Sequence, residues 1–354
     1  MKRPVRLADV AKAARVSQGT ASNVFNRPEI VRAEVRERVM KWAENLGYAG
    51  PDPKGRLLRA GRVNAIGMLA SSDMAKFFND PFKRLLMAGI AEVCDEHGAG
   101  IALVSSASQA NAPWTVETAL VDGFIVHCVE DGDRLIALVR KRNLPFVTID
   151  LVAEPGTSSV LVDDQRGAGM AARHLLALGH RKIALLCLDT LGDGHVGPID
   201  AQRLRSARSK VVRDRVAGYA AALAARGIDL ERLPMVEAPS DRQLAVGHAA
   251  ELLDRAPETT AIIAMSDVLG LAAIEAAQKR GWRVPEDLSV IGFDDVPDAA
   301  LGTPPLTTIA QPILEKGRRA AELIFEEGPP QHELLPVKLV ERASTARRRA
   351  SSRR

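Results

Sequence analysis

The chain has 354 residues, 46% of them hydrophobic and 26% charged, which is apolar material for more than one buried core and excludes a disordered or collagen-like chain. No stretch approaches the roughly 18 consecutive apolar residues of a membrane span, and the charged start MKRPVRLADVAKAARVS lacks the apolar segment of a secretory signal, so a cytoplasmic protein is expected. The net charge of +4 divides into +8 over residues 1–62, +5 over 341–354 and −9 between them, which points to a polyanionic partner for the head.

In chain order, the first 48 residues read as three short helices. LADVAKAARV places Leu7, Val10, Ala11 and Ala14 on one helical face. SQGTASNVFN follows after a tight break. RAEVRERVMKWAENLGY then puts Val35, Val39, Trp42 and Leu46 on one face, with Gly47 at the expected C-terminus. After Gly61 the texture changes to short apolar runs: VNAIGMLAS, GIALVSS, GFIVHCV, PFVTIDL, SSVLVDD, KIALLCL, PMVEA, AIIAMSD and LSVIGFDD. Ala- and Leu-rich helical stretches separate most of them, which predicts parallel sheets covered by helices on both faces. These runs exceed one small sheet, so two lobes are expected. Cys94, Cys128 and Cys187 lie far apart in no metal-ligand pattern, and buried free thiols are expected. STARRRASSRR, polar and aperiodic, reads as a disordered tail from residue 341.

Two helices joined by a tight turn, the second short and polar, form the helix-turn-helix pattern. The outward face of the second helix offers Ser17, Gln18, Thr20, Ser22 and Asn23, while Val16, Ala21 and Val24 point inward. Gln and Asn pair bidentately with adenine, each such pair giving about 1–3 kcal/mol of discrimination. Ser and Thr suit phosphates, which position rather than specify. An ordinary polar surface helix would show much of the same pattern.

The head, from LADVAKAARVSQGTASNVFN onward, resembles that of the LacI family of bacterial transcriptional regulators. The resemblance continues through LGHRKIALL, RDRVAGYAAAL, AIIAMSDVLGLAAIEAA, VPEDLSVIGFDDV and PPLTTIAQP, in the family's order and over nearly the whole chain. It implies an all-α helix-turn-helix head over residues 1–49 and a hinge over 50–62. A periplasmic-binding-protein-like α/β body of two doubly wound parallel-sheet lobes would follow over 63–340. Leu7 and Asn26 join the DNA-contacting positions on this reading. The family usually has arginine where Asn23 stands, and Ser or Thr where Arg32 precedes the third helix, so a different operator and a missing helix cap are expected.

The resemblance also gives PKGRLLRAG a role. In the family this segment folds into a hinge helix on the operator and pushes a leucine into the minor groove, which unstacks and bends the duplex. By position Leu58 resembles that wedge, Leu57 packs against its twin or the body, and Arg56 and Arg59 sit near phosphates. The plain alternative is a flexible tether.

Ligands of two-lobed α/β folds sit between the lobes, at the carboxyl ends of parallel strands. Arg215 in RDRVAGY resembles the family arginine that donates to ligand, and Asp294 in GFDD the carboxylate that accepts from hydroxyls. The alternative for this pair is a structural salt bridge between lobes. Ser266 stands where the family usually has Asn, and Asp267 beside it suits a helix cap. Asp150 ends its strand facing the expected cleft, and Phe82 and Phe293 offer apolar walls or core. The lengthened LDTLGDGHVGPIDAQRLRSARSK could drape over the cleft and bring His195 and Arg203 to it; SSASQANAPWTVETALVDG is shortened.

The expected function is that of a non-enzymatic transcriptional regulator, a repressor bound as a homodimer to pseudo-palindromic double-stranded DNA. A sugar-like effector would control it, with no cofactor, metal or membrane. The leucine-free end predicts no tetramer through a C-terminal leucine helix. Two other classes compete. Gly167, Gly169 and Ala172, with Asp189 beyond, mimic a dinucleotide fingerprint, but four polar residues part strand from glycine where that motif needs a tight turn. A transport-associated binding protein would lack the reading head.

Overall fold

The computed structural model describes residues 5–50, 61–70, 74–105, 112–127, 132–152 and 154–348. The chain forms two compact units, up to Val63 and from Asn64 onward.

The first unit holds α1 (Leu7–Ala13), α2 (Gln18–Asn26), a single 3-10 turn (Pro28–Ile30) and α3 (Ala33–Leu46). The turn between α1 and α2 is closed by Arg15, whose φ of 53° is left-handed, a conformation uncommon outside glycine. Ser17 caps α2 by accepting from the Thr20 N–H at 3.0 Å. Arg32 gives α3 no side-chain cap, as its identity implies, and Gly47 ends that helix at φ 70°. Val10, Ala14, Ala21, Val24, Val39 and Ala43 make the core. Trp42 does not join it: it is 40% exposed, and Ala43 takes the buried place. A repeat of 3.6 residues carries the stripe from Val39 to its fourth neighbour as readily as to its third, and the small residue suits a core this thin.

The second unit holds two sheets. The first is entirely parallel: β1 (Ala65–Ala70), β2 (Gly100–Ser105), β3 (Gly123–His127), β4 (Phe146–Ile149), β5 (Ser158–Val162) and β12 (His332–Leu335), in the order β12-β5-β4-β3-β1-β2. The second contains β6 (Ile183–Cys187), β7 (Gly197–Pro198), β8 (Met235–Glu237), β9 (Ala261–Ala264), β10 (Ser289–Asp294), β11 (Thr307–Ala310) and β13 (Lys338–Val340), in the order β13-β11-β10-β9-β6-β8-β7. Only the edge strands β13 and β7 run antiparallel there. All nine apolar runs of the sequence are strands. The chain passes between the sheets three times, after β5, after β11 and after β12.

The first lobe carries α4 (Met74–Asn79), α5 (Pro81–Glu96), α6 (Ala112–Thr118), α7 (Gly132–Lys141) and α14 (Ile313–Phe325). The second carries α8 (Asp164–Ala177), α9 (Ala201–Arg205), α10 (Lys210–Ala224), α11 (Arg242–Arg255), α12 (Asp267–Lys279) and α13 (Pro297–Leu301). Two helix pairs touch backbone to backbone. A Cβ on Gly218 of α10 would lie 2.1 Å from the Gln165 carbonyl of α8, and one on Gly317 of α14 would lie 2.2 Å from the Leu86 carbonyl of α5. These approaches bring Arg215 and Lys316, neighbours of the two glycines, close to the crossovers. Gly167 lies inside α8 against Phe293 rather than in a strand-to-helix turn, which removes the dinucleotide reading.

The tail does not begin at residue 341. Ser344 is fully buried, donates to the Val290 carbonyl at 2.6 Å and accepts from the Thr307 N–H at 2.8 Å. His180 meets the Ala346 carbonyl, His174 meets Thr345, and Arg342 pairs with Asp295. Small hydroxyl side chains seated against β10 and β11 hold this polar stretch, an order that no apolar periodicity announces. No helix among the described residues is long and apolar enough to cross a membrane. Cys94 and Cys187 are free and buried, as expected, and Cys128 lies outside the described residues.

Candidate functional site

In the first unit, α2 presents one polar face. Gln18 and Asn26 are exposed and Asn23 half-exposed. Ser17 and Thr20 hydrogen-bond each other at 2.9 Å, and Asn26 donates to the Ser22 carbonyl and hydroxyl at 3.0 and 3.1 Å. These residues steady one another in two pairs, and Gln18 and Asn23 are the amide side chains of α2 with no hydrogen-bond partner among the described residues. Leu7 is half-buried against the core of this unit. Arg56, Leu58 and Arg59 lie outside the described residues.

In the second unit, the strand-end residues converge where the chain passes between lobes. Asp150 follows β4 with φ 58°, and Asp294 ends β10 with φ 121°. Strained left-handed backbone of this kind persists only where the surroundings fix it, and it clusters at ligand sites. Both carboxylates are buried, at 4% and 6% exposure. Asp150 accepts from the fully buried Lys316 through both oxygens at 2.9 Å. Lys316 also donates to Gln311 Oε1 at 2.6 Å, and Gln311 Nε2 donates to Asp294 Oδ1 at 2.7 Å. Arg215 pairs with that same oxygen at 3.5 Å and with Asp164 at 2.8 Å. Its third donor reaches the Met265 carbonyl. The result is one polar chain, Asp150–Lys316–Gln311–Asp294–Arg215–Asp164. It begins in the first lobe, passes the crossover after β11 at Gln311 and ends beside the crossover after β5 at Asp164.

The electrostatics follow from burial. Burial pushes the Asp294 carboxyl up to about 7, against the pull of Arg215 and Gln311. Burial likewise raises Asp164 despite Arg215. Burial also works to raise Asp150, but the Lys316 charge and the His127 contact overcome it and hold that carboxyl below its ordinary range. His127, 3.6 Å from Asp150, is lowered by burial and stays neutral at neutral pH. Burial opposes the charge on Arg215, and Asp164 and Asp294 more than restore it.

Several expectations need correction. Arg215 and Asp294 do pair, but both belong to the second lobe, so they do not bridge the lobes; Lys316 with Gln311, and the 3.4 Å contact of Ser240 with Asp80, do that. Phe293 is fully buried and forms no open wall. Its ring supports the Arg215 guanidinium at 3.6 Å, since its position on the central strand β10 turns it into the core. Phe82 is half-buried, packs against the core of the first lobe and stacks on His127 at 5.5 Å. The Ser266 hydroxyl caps α12 by accepting from the Leu269 N–H. Asp267 accepts from the Val296 N–H and the Thr308 hydroxyl, so it is structural. Arg203 is spent on Asp193 and the buried Glu237, which fasten the long 188–200 loop at the β8–β7 edge, and His195 is exposed there.

Sequence reading missed Asp164, Gln311, Lys316 and His127. Lys316 carried a signal: Ile313, Lys316, Gly317 and Ala320 form the buried stripe of α14, with the lysine inside it. Gln311 follows β11, whose TTIA was not read as a strand.

Comparison with known proteins agrees along the chain. Residues 6–50 match the family described as bacterial regulatory proteins, lacI family, and residues 172–345 match the periplasmic binding protein-like domain. The chain is 40% identical over 347 residues to the HTH-type transcriptional regulator Rv3575c of Mycobacterium tuberculosis, which covers 96% of each protein. It superposes on the lac repressor dimer bound to operator and the anti-inducer ONPF with a TM-score of 0.74 and 28% identity, over 97% of this chain and 100% of that one. With the transcriptional regulator CelR in its cellobiose complex the TM-score is 0.69 and the identity 29%, again over 97% and 100%. A polar-faced helix-turn-helix unit and a two-lobed body with a buried polar crossover, matched over nearly the full length of such relatives, make this chain a member of the LacI family of DNA-binding transcriptional regulators.

Proposed function

We propose that this regulator is a cytoplasmic repressor that holds a pseudo-palindromic operator as a homodimer and releases it when a sugar or related polyol binds between its lobes. The observation that carries the effector reading is the polar chain from Asp150 to Asp164, which places hydrogen-bonding side chains at two of the three lobe crossovers. A ligand that donates hydrogen bonds to Asp294 and accepts them from Arg215 changes the partners of Gln311 and Lys316, and so the angle between lobes. Such a ligand acts only by preferring one lobe arrangement over the other. Relatives solved with operator and with cellobiose support both halves of the reading. In the head, Gln18 and Asn23 read bases, Ser17, Thr20, Ser22 and Asn26 meet or steady phosphate contacts, and Leu7 packs at the DNA edge. Arg56, Leu58 and Arg59 supply the hinge.

The test is selection of duplexes from a random library by the full-length protein. An inverted repeat should be enriched, because a two-fold symmetric dimer reads a two-fold symmetric site. Its affinity should fall steeply with salt and on addition of a sugar that raises the protein's melting temperature. Enrichment of no sequence, or of an asymmetric one, contradicts the proposal.

A further inference from the structure

We propose that the inter-lobe site accepts only hydroxyl-rich ligands without negative charge, and that it rejects the sugar acids and sugar phosphates of the same carbon skeleton. This inference rests on the cluster being the effector site, as proposed above.

Both charge and hydrogen-bonding capacity at this site are weighted toward carboxylate acceptors. Asp80, Asp150, Asp164, Asp267 and Asp294 are each 7% exposed or less. Their fields overlap: Asp80 and Asp267 act on or respond to Asp294, and Asp150 acts on Asp164. Among the described residues, three cations stand against these five: Lys83, Arg215 and Lys316. His127 faces Asp150 but is kept neutral by burial.

The cations are moreover committed. Lys316 donates to both oxygens of Asp150 and to Gln311. Arg215 donates to Asp164, to Asp294 and to the Met265 carbonyl. Lys83 lies 3.8 Å from Asp80. On the acceptor side there is surplus. Gln311 and Arg215 both use Asp294 Oδ1, and Arg215 uses Asp164 Oδ1, so no described residue donates to the second oxygen of either carboxylate. Burial raises the Asp294 and Asp164 carboxyls against the pull of Arg215, and the fields of Asp80 on Asp294 and of Asp150 on Asp164 add to that rise. Hydroxyl groups supply the donors this site lacks. Phe82, stacked on His127, gives a flat apolar face for the C–H side of a sugar ring. A carboxylate or phosphate brings more acceptors and more negative charge to a place already in excess of both. One added unit charge about 6 Å from an uncompensated one, at an effective dielectric of about 20, corresponds to roughly a hundredfold in affinity.

The experiment is calorimetric and thermal-shift titration of the full chain at pH 7.5 with matched sets: D-ribose, D-ribonate and D-ribose 5-phosphate; D-glucose, D-gluconate and D-glucose 6-phosphate; cellobiose and cellobionate. The expected result is binding of at least one uncharged member, with its acid or phosphate about a hundredfold weaker. Asp80→Asn should narrow that gap about tenfold, since it removes one carboxylate while Asn still caps α5. A charged member that binds as tightly as its neutral parent, or a gap unchanged in Asp80→Asn, overturns this inference and leaves the sugar reading standing. If no member of any set binds, the sugar reading fails and this inference falls with it.

Discussion

Replacing Lys316 by methionine tests the architecture of the crossover most severely. Lys316 is fully buried, and its ammonium is the only described cation in contact with Asp150. Lys316→Met keeps the volume of the stem but leaves Asp150 charged, buried and unpaired. Breaking a buried ion pair by removing one partner costs about 3–5 kcal/mol. For a unit of this size that lowers the melting temperature by on the order of 10 °C. Lys316→Met with Asp150→Asn removes both charges, and Asn accepts the left-handed backbone that Asp150 adopts. The double variant should therefore recover most of the loss, with a coupling energy of at least about 2 kcal/mol in a double-mutant cycle by urea denaturation.

The pH dependence gives an independent check on the same substitution. Lys316 is one of the charges that lower His127, so its removal raises the imidazole's pKa. The imidazolium can then pair with Asp150 at 3.6 Å. A folded pKa higher than the parent's, even one that burial still keeps low, favours the variant at low pH, and that gain is lost as pH rises. The deficit of Lys316→Met should thus be smaller at pH 6 than at pH 8. A single variant within about 1 kcal/mol of the parent, or a double variant no better than the single, would refute the reasoning.

Other perturbations have equally definite outcomes. Asp294 holds a proton in the folded state between about pH 4 and about pH 7 that the unfolded chain gives up. Stability contributed by this group therefore falls as pH rises through that window, and Asp294→Asn should flatten the slope in denaturation curves. Gly218→Ala places a methyl against the Gln165 carbonyl and must part α8 from α10, with a loss of about 1–3 kcal/mol or more in unfolding free energy. Leu58→Ala should weaken operator binding in anisotropy titrations and leave sugar binding unchanged.

The nine apolar runs, the two lobes and the helix-turn-helix were legible because periodicity and burial follow directly from residue type. Arg215, Asp150 and Asp294 were legible as charged residues at motif positions and strand ends. What escaped was set by tertiary packing. Lys316 is read as a surface residue until the apolar stripe around it is counted, and its burial makes sense only with Asp150, 166 positions away in sequence. Phe293 could be wall or core from the sequence, because strand position alone does not say which face of β10 meets the core. Residues 341–348 looked disordered because Ser and Thr side chains can hold a segment by hydrogen bonds that leave no hydrophobic pattern. The edge strands β7, β12 and β13 are two to four residues long, too short to show alternation.

In the proposed function, DNA in the head and a ligand between the lobes act on each other through the hinge. Hydrogen exchange over residues 53–61, measured on the free protein, with the selected duplex, and with duplex plus the stabilising sugar, tests it most directly. Strong protection with duplex alone, lost when sugar is added, is the expected result. Equal exchange in all three states contradicts it.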